Sequence, residues 1–364
     1  MVSAVSLSLI MNLFTETGER ARAMGVYGFV CAGGGSIGVL LGGLLTSALS
    51  WHWIFLVNLP IGVLVYALCL RLIPAAAPAA GGTRLDVAGA LAVTASLMLA
   101  VYAVVNGNEA GWTSAQSLTL LGAAALLMVL FLTIEARVQS PLMPLGLFRL
   151  RNVATANIVG VLWAAAMFAW FFVSALYMQL VLGYSRMEVG LAFLPANLIM
   201  AAFSLGLSAK LVMRFGIRAP LATGLFMAAL GLALFARAPV DGTFAADVLP
   251  GMLLLGLGAG VAFNPMLLAA MSDVEPSQSG LASGVVNTAF MMGGSLGLAV
   301  LASLAAARSA ALAQAGAAPT AALNGGYQIT FLAGALIAAL AAALSAILLR
   351  SRNRDLPVQA DTPH

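Results

Sequence analysis

The sequence predicts an all-α polytopic membrane protein with about ten full transmembrane helices plus one partial. Three observations carry this. The 364 residues are 62% hydrophobic and 8% charged, with a mean hydropathy of +1.04, a balance foreign to water-soluble domains. Apolar runs long enough to cross a hydrocarbon core of about 30 Å recur along the whole chain. Lys and Arg fall on alternate sides of those runs: thirteen, from Arg20 and Arg22 to Arg354, lie on one side, and only Arg186, Arg237 and Arg308 on the other. The first side is therefore expected to be cytoplasmic, with the C-terminal tail on it, in a multi-pass protein of the inner or plasma membrane. A net charge of +4 is explained by these loops and does not indicate a nucleic-acid partner.

Taken in order, residues 1–14 (MVSAVSLSLIMNLF) come first. At 1.5 Å per residue they reach roughly 21 Å, so they read as the second half of a span. No basic run precedes them, which argues against a signal peptide. Full spans are expected at 23–47, 53–73, 87–105, 117–134, 152–182, 188–209, 219–237, 246–271, 280–307 and 326–349. The stretch Pro74 to Asp86 is a proline, alanine and glycine connector. Glu135 to Asn152 is cationic with Leu145, Leu147 and Phe148 between its charges, and suits either a surface helix or a plain loop. All twelve acidic residues fall in loops, tails or span ends, so no mid-membrane carboxylate stands out as a proton carrier. Cys31 and Cys69 lie inside apolar spans and read as small core residues. With only His52 and His364 besides, no metal site is expected.

Gly34, Gly38 and Gly42 recur every four residues in the 23–47 span, with Gly43 beside them. Such a stripe lets another helix approach closely, and packing alone accounts for many of them. GGGSIGVLLGG at 33–43 leads into WHWIFLVNLPIG at 51–62; PLMPLGLFRLRN at 141–152, LGYSRMEVGLAFLP at 182–195 and GLASGVVNTAFMMGGSLGLAVL at 280–301 follow. On these stretches the chain resembles the major facilitator superfamily, in particular the fourteen-span drug:proton antiporters of the EmrB/QacA type.

The resemblance implies a major facilitator fold, N-terminally incomplete. Residues 1–73 would be the remainder of the N-terminal bundle, 74–134 a linker and inserted helix pair, and 135–151 a cytoplasmic connector. Residues 152–350 would be the C-terminal six-helix bundle, and 351–364 a tail. Three spans and the start of the fourth would precede Met1, carrying the residues the family uses for proton coupling. Gly34, Gly38, Gly42 and Gly43 would form the family's antiporter motif, which packs and gates. Here Gly38-Val39-Leu40-Leu41-Gly42-Gly43 lacks the proline usual at its second position, which removes a kink. Lys210, Arg214 and Arg218 resemble a degenerate copy of the superfamily's cytoplasmic basic loop, and serve equally well as positive-inside anchors.

Candidate cavity residues begin on the 152–182 span, where Trp163, Met167, Trp170, Ser174 and Tyr177 share a stripe by spacing, flanked by Phe168, Phe171, Phe172 and Gln179. Aromatic faces and polarizable methionine suit flat, lipophilic, often cationic molecules, while lipid contact or interfacial anchoring is the competing role and the stronger one for Tyr177. Asn197, Asn264 and Asn287, the last followed by Phe290 and Met291, add amides inside other spans, where interhelical hydrogen bonding is the competing role. Pro265 is expected to interrupt the helix beside Asn264, as happens where backbone faces a cavity. The resemblance implies a transporter for proton-coupled efflux of small lipophilic or cationic compounds by alternating access. The alternative is a truncated or partner-dependent membrane protein without transport of its own. No nucleophile–base pair or carboxylate pair suggests an enzyme. No cofactor is expected beyond the proton gradient. Partners would be a small lipophilic substrate and membrane lipid, with a periplasmic adaptor or complementary helices as further classes.

Overall fold

A chain in hydrocarbon must close its backbone hydrogen bonds within itself, and every regular element described in the computed structural model is helical. The structure describes residues 10, 13–14, 17–72, 86–138, 141–272, 274–275 and 278–349. The helices are α1 (Thr17–Ala48), α2 (Trp53–Leu56), α3 (Asn58–Leu72), α4 (Val87–Ala110), α5 (Ala115–Glu135) and α6 (Arg151–Leu176). They continue as α7 (Arg186–Ala202), α8 (Ser208–Phe215), α9 (Arg218–Phe235), α10 (Leu249–Ala270), α11 (Ser279–Gln314) and α12 (Pro319–Leu348). Wider π-helical turns extend α6 over Tyr177–Val181, join α7 to α8 over Phe203–Leu207, and lead into α10 over Phe244–Val248.

Eight helical segments are long and apolar enough to cross a membrane among the described residues, with α2 and α3 counted as one. The other two expected full spans, 23–47 and 188–209, are also helical, as α1 and as α7 running into α8. The expected half-span 1–14, the connector 74–85 and the tail 351–364 lie outside the described residues, apart from Ile10, Leu13 and Phe14. The cationic connector carries one 3-10 turn, Leu145–Arg149, held down by buried Leu147.

The core runs from α6 to α12. Helix α6 packs on α11 and α12, α9 lies against α10 and α12, and α7 lies between α1 and α10. Small residues set these distances: a Cβ on Gly258 would stand 2.5 Å from the carbonyl oxygen of Gly224, and one on Gly224 would stand 2.7 Å from that of Gly258. Only glycine lets α9 and α10 meet there. The ends are tied by polar contacts to backbone. Arg151 Nε donates to Leu348 O at 2.8 Å, while at the opposite end Tyr177 donates to Pro239 O and Asn324 to Ala238 O.

Helices α4 and α5 pair with each other, and α4 leans on α11. Their shared end holds two buried carboxylates. Asp86 accepts the Gly89 N–H at 2.8 Å to cap α4, and Glu135, 4% exposed, accepts the Met143 N–H at 3.0 Å, joining α5 to the connector. Cys69 departs from expectation. It is exposed on α3, because no residue of the Trp53–Arg71 window is buried, and among the described residues α3 packs appreciably only on α2. The Cys31 side chain is outside the described set.

Gly258→Val should cost about 1–3 kcal/mol by forcing α9 and α10 apart. Gly34→Ala, whose Cβ would meet nothing within 4 Å, should leave stability unchanged. Thermal unfolding of the two variants in one detergent checks the contrast.

Candidate functional site

Helix α6 is apolar all round, so its phase, set by 3.6 residues per turn, decides what each side chain meets. Trp163, Trp170, Ser174 and Tyr177 share one stripe and are all 0% exposed. Met167, Phe171, Phe168 and Phe172 are offset progressively around the helix, and they face two cavities. The first, of about 330 Å³, is enclosed by α1 at Tyr27 and Gly28, α6, α7 at Asn197 and Met200, and Ser204 of the following π turn. Helix α10 at Phe263 and Met266 and α11 at Asn287, Phe290 and Met291 complete it. The second, of about 680 Å³, extends toward the C-terminal end of α6, between Gly42, Gly43 and Thr46 of α1, Gln179 of the π turn, and Arg186 and Phe193 of α7. Met167, Phe168 and Phe171 belong to both linings and form the wall between them.

That wall is aromatic and supported from behind. Phe168 meets Phe290 edge to face at 6.2 Å, and Phe290 meets Phe263 the same way at 6.1 Å. A Cβ on Gly294 of α11 would stand 2.6 Å from the Phe168 ring, so that glycine is what lets the ring lie there. Phe171 stacks on Phe193 at 5.3 Å, and the Trp170 ring touches Phe171 at 4.3 Å from the core side.

Polar groups are few. Asn264, 2% exposed, donates through Nδ2 to the Ser204 carbonyl at 3.1 Å and its hydroxyl at 3.2 Å. Helix α10 is not broken at Pro265 as expected: it runs from Leu249 through Ala270. Proline cannot bond the carbonyl four residues back, and that carbonyl, of Val261, accepts instead from Ser208 Oγ at 3.5 Å. Among the described residues, Tyr27 and Arg186 are the only ionisable side chains lining either cavity, and no carboxylate lines them. Among the described residues no group of three or more His, Cys, Asp or Glu could hold a metal ion.

The sequence candidates are thus divided. Met167, Phe171, Asn197, Asn287 and Met291 line the first cavity, and Gln179 joins Met167 and Phe171 in the second. Trp163, Trp170 and Ser174 line neither, because their stripe turns into the bundle; Ser174 donates to Trp170 O at 2.6 Å. Asn264 stands behind Ser204. Gly42 and Gly43 border the second cavity, but a Cβ on Gly34, Gly38 or Gly42 would meet nothing within 4 Å, so the stripe packs against no helix among the described residues. Lys210, Arg214 and Arg218 are exposed around the α8–α9 turn, outside both linings, with Arg214 over the Phe215 ring at 5.2 Å. Tyr27, Gly28, Met200, Ser204, Phe263 and Met266 were not singled out by spacing. The run Phe263-Asn264-Pro265-Met266 held the one available signal, large polarizable side chains on either side of an intramembrane amide.

Phe290→Ala should weaken binding of a flat apolar ligand about 10-fold, with a stability loss smaller than that of Trp170→Ala because its site already borders open space. Trp170→Ala should cost about 3–5 kcal/mol of stability, because it empties a fully buried site. Ligand titration and thermal unfolding of both variants separate the two roles.

Residues 1–298 match the Major Facilitator Superfamily. Puromycin resistance protein pur8 of Streptomyces alboniger is 37% identical over 344 residues, 92% of this chain and 68% of that protein. Cephamycin export protein CmcT of Amycolatopsis lactamdurans is 35% identical over 83% of this chain and 62% of its own length. Multidrug resistance protein Stp of Mycobacterium tuberculosis is 35% identical over 84% and 56%. The chain therefore spans about two thirds or less of the length of these relatives. With an all-helical fold and a match over most of its residues, the chain belongs to the Major Facilitator Superfamily.

Proposed function

We propose that this protein exports small lipophilic compounds across the cell membrane by alternating access, as a drug:proton antiporter of the fourteen-span type with its C-terminus in the cytoplasm. The observation that carries the reading is the pair of cavities stacked along α6 and divided by Met167, Phe168 and Phe171. A site that opens in turn to each side needs a chamber and a movable partition, and side chains on one helix supply the partition here. Phenylalanine and methionine linings reward apolar, polarizable ligands. The names of the relatives, which include puromycin resistance and cephamycin export, support export of such compounds.

Proton entry would drive the cycle, since one charge crossing 100 mV is worth about 2.3 kcal/mol. Among the described residues neither cavity lining contains a carboxylate, and the coupling proton in this reading is carried by other residues of the protein.

Everted membrane vesicles containing the full-length protein test the proposal with puromycin as the probe. Accumulation on energisation, collapse by a protonophore and a several-fold slower rate in Phe290→Ala are the expected results. Accumulation that survives the protonophore would overturn proton coupling, and an unchanged rate in Phe290→Ala would remove the first cavity from the path.

A further inference from the structure

Helices α1 and α7 pass each other in opposite directions beside both cavities, and their approach is uneven. Gly43 of α1 lies level with Arg186 at the start of α7, and Gly28 lies level with Ser204 in the π turn that follows it. At Gly43 the fit is ordinary: a Cβ would stand 3.5 Å from the Arg186 carbonyl oxygen. At Gly28 there is no room for one. A Cβ there would overlap the Ser204 hydroxyl and stand 2.6 Å from Asn264 Oδ1. Asn264 Nδ2 donates to both the carbonyl and the hydroxyl of Ser204, so neither side chain can swing clear of Gly28 without giving up a hydrogen bond. This contact is the floor of the first cavity. The lining descends α7 and its π turn from Asn197 to Ser204, and α10 from Ala259 to Leu267, and stops there. Beyond that level α1 lies against α8, where no described residue lines either cavity. The second cavity, at the other end, lies between Gly42 and Gly43 of α1 and Arg186 of α7, and Arg186 is exposed. The helix pair is thus tight toward α8 and looser toward the start of α7.

We infer that the contact of Gly28 with Ser204 and Asn264 is the closure between the first cavity and the α8 side of the membrane, and that it parts when a ligand enters from that side. The inference rests on the reading of the protein as an alternating-access exporter, and it names the residue at which one of the two gates shuts. On the orientation of that reading, the structure is the form closed to the cytoplasm. A glycine suits a contact that forms and parts repeatedly, because it brings no side chain that must be withdrawn from between the helices. Asn264 keeps Ser204 in place whether or not α1 is against it, so the seat survives each opening. Ser204 also stands in a π-helical turn, Phe203–Leu207, and such irregular turns concentrate where helices do functional work. A small displacement of α1 is enough, since a packed interface has discrete arrangements rather than a continuum of them.

Ser204 is 2% exposed, so Ser204→Cys in the full-length protein, with its other cysteines replaced, should react slowly with a membrane-impermeant maleimide added to everted vesicles at rest. Energised turnover with puromycin should raise that rate several-fold, which a contact that only holds the fold together would not do. Gly28→Ala added to Ser204→Cys should raise the resting rate several-fold, while Gly34→Ala, whose Cβ would meet nothing within 4 Å, should leave it unchanged. A rate that is the same at rest and in turnover would overturn the gate. So would a resting rate unaltered by Gly28→Ala, or one raised equally by Gly34→Ala, which would mark a general loosening. If Gly28→Ala does not fold, the turnover comparison on Ser204→Cys decides the matter alone. If energised vesicles of the unsubstituted protein do not accumulate puromycin, the export reading falls, and the resting comparison of Gly28→Ala with Gly34→Ala still decides whether this contact is a closure.

Discussion

The absence of water from the hydrocarbon layer is the constraint on which the rest of this structure depends. It makes the chain helical, and it also governs the polar side chains. Most are turned back onto their own or a neighbouring backbone: Asn157 to Val153 O, Ser174 to Trp170 O, Thr330 to Gly326 O and Leu301 O, Ser303 to Val104 O. Pro265 shows the same rule applied to a defect. A carbonyl released by the missing N–H is met by a serine from another helix, and α10 continues unbroken. Polar capacity left open in this medium is costly, and Asn157 and Asn324 each fill their amide nitrogen while an amide oxygen stays without a partner.

Close packing supplies the second layer of the argument. Lipid gives helices no hydrophobic reason to associate, so contact area and glycine-permitted approach do the work. The Gly224–Gly258 crossing seats α9 on α10, and Gly294 gives α11 room for the Phe168 ring of α6. The cavity is what remains where α1, α6, α7, α10 and α11 cannot all approach so closely.

Spans were legible in the sequence because apolar runs and flanking basic residues are both local signals. The site was legible only in part. Spacing placed Trp163, Met167, Trp170 and Ser174 on one stripe, but a helix that is apolar on every side carries no mark of which face meets protein and which meets a cavity. The boundary between the two falls beside Met167, so the tryptophans went to the core and the phenylalanines to the chamber. Tyr27 and Gly28 were invisible for another reason: their role comes from where α1 crosses α7 and α10, a relation between segments far apart in sequence. Gly34 and Gly38 show the reverse, a strong local pattern to which no contact among the described residues answers.

The two-faced character of α6 bears on how such a protein changes over generations. Residues that hold the bundle together and residues that meet the chamber alternate along one helix without sharing positions. A substitution at Met167 or Phe171 reshapes the chamber while Trp163, Trp170 and Tyr177 keep the helix seated. The shape of the chamber can therefore drift by single steps on a scaffold that does not have to be refolded each time.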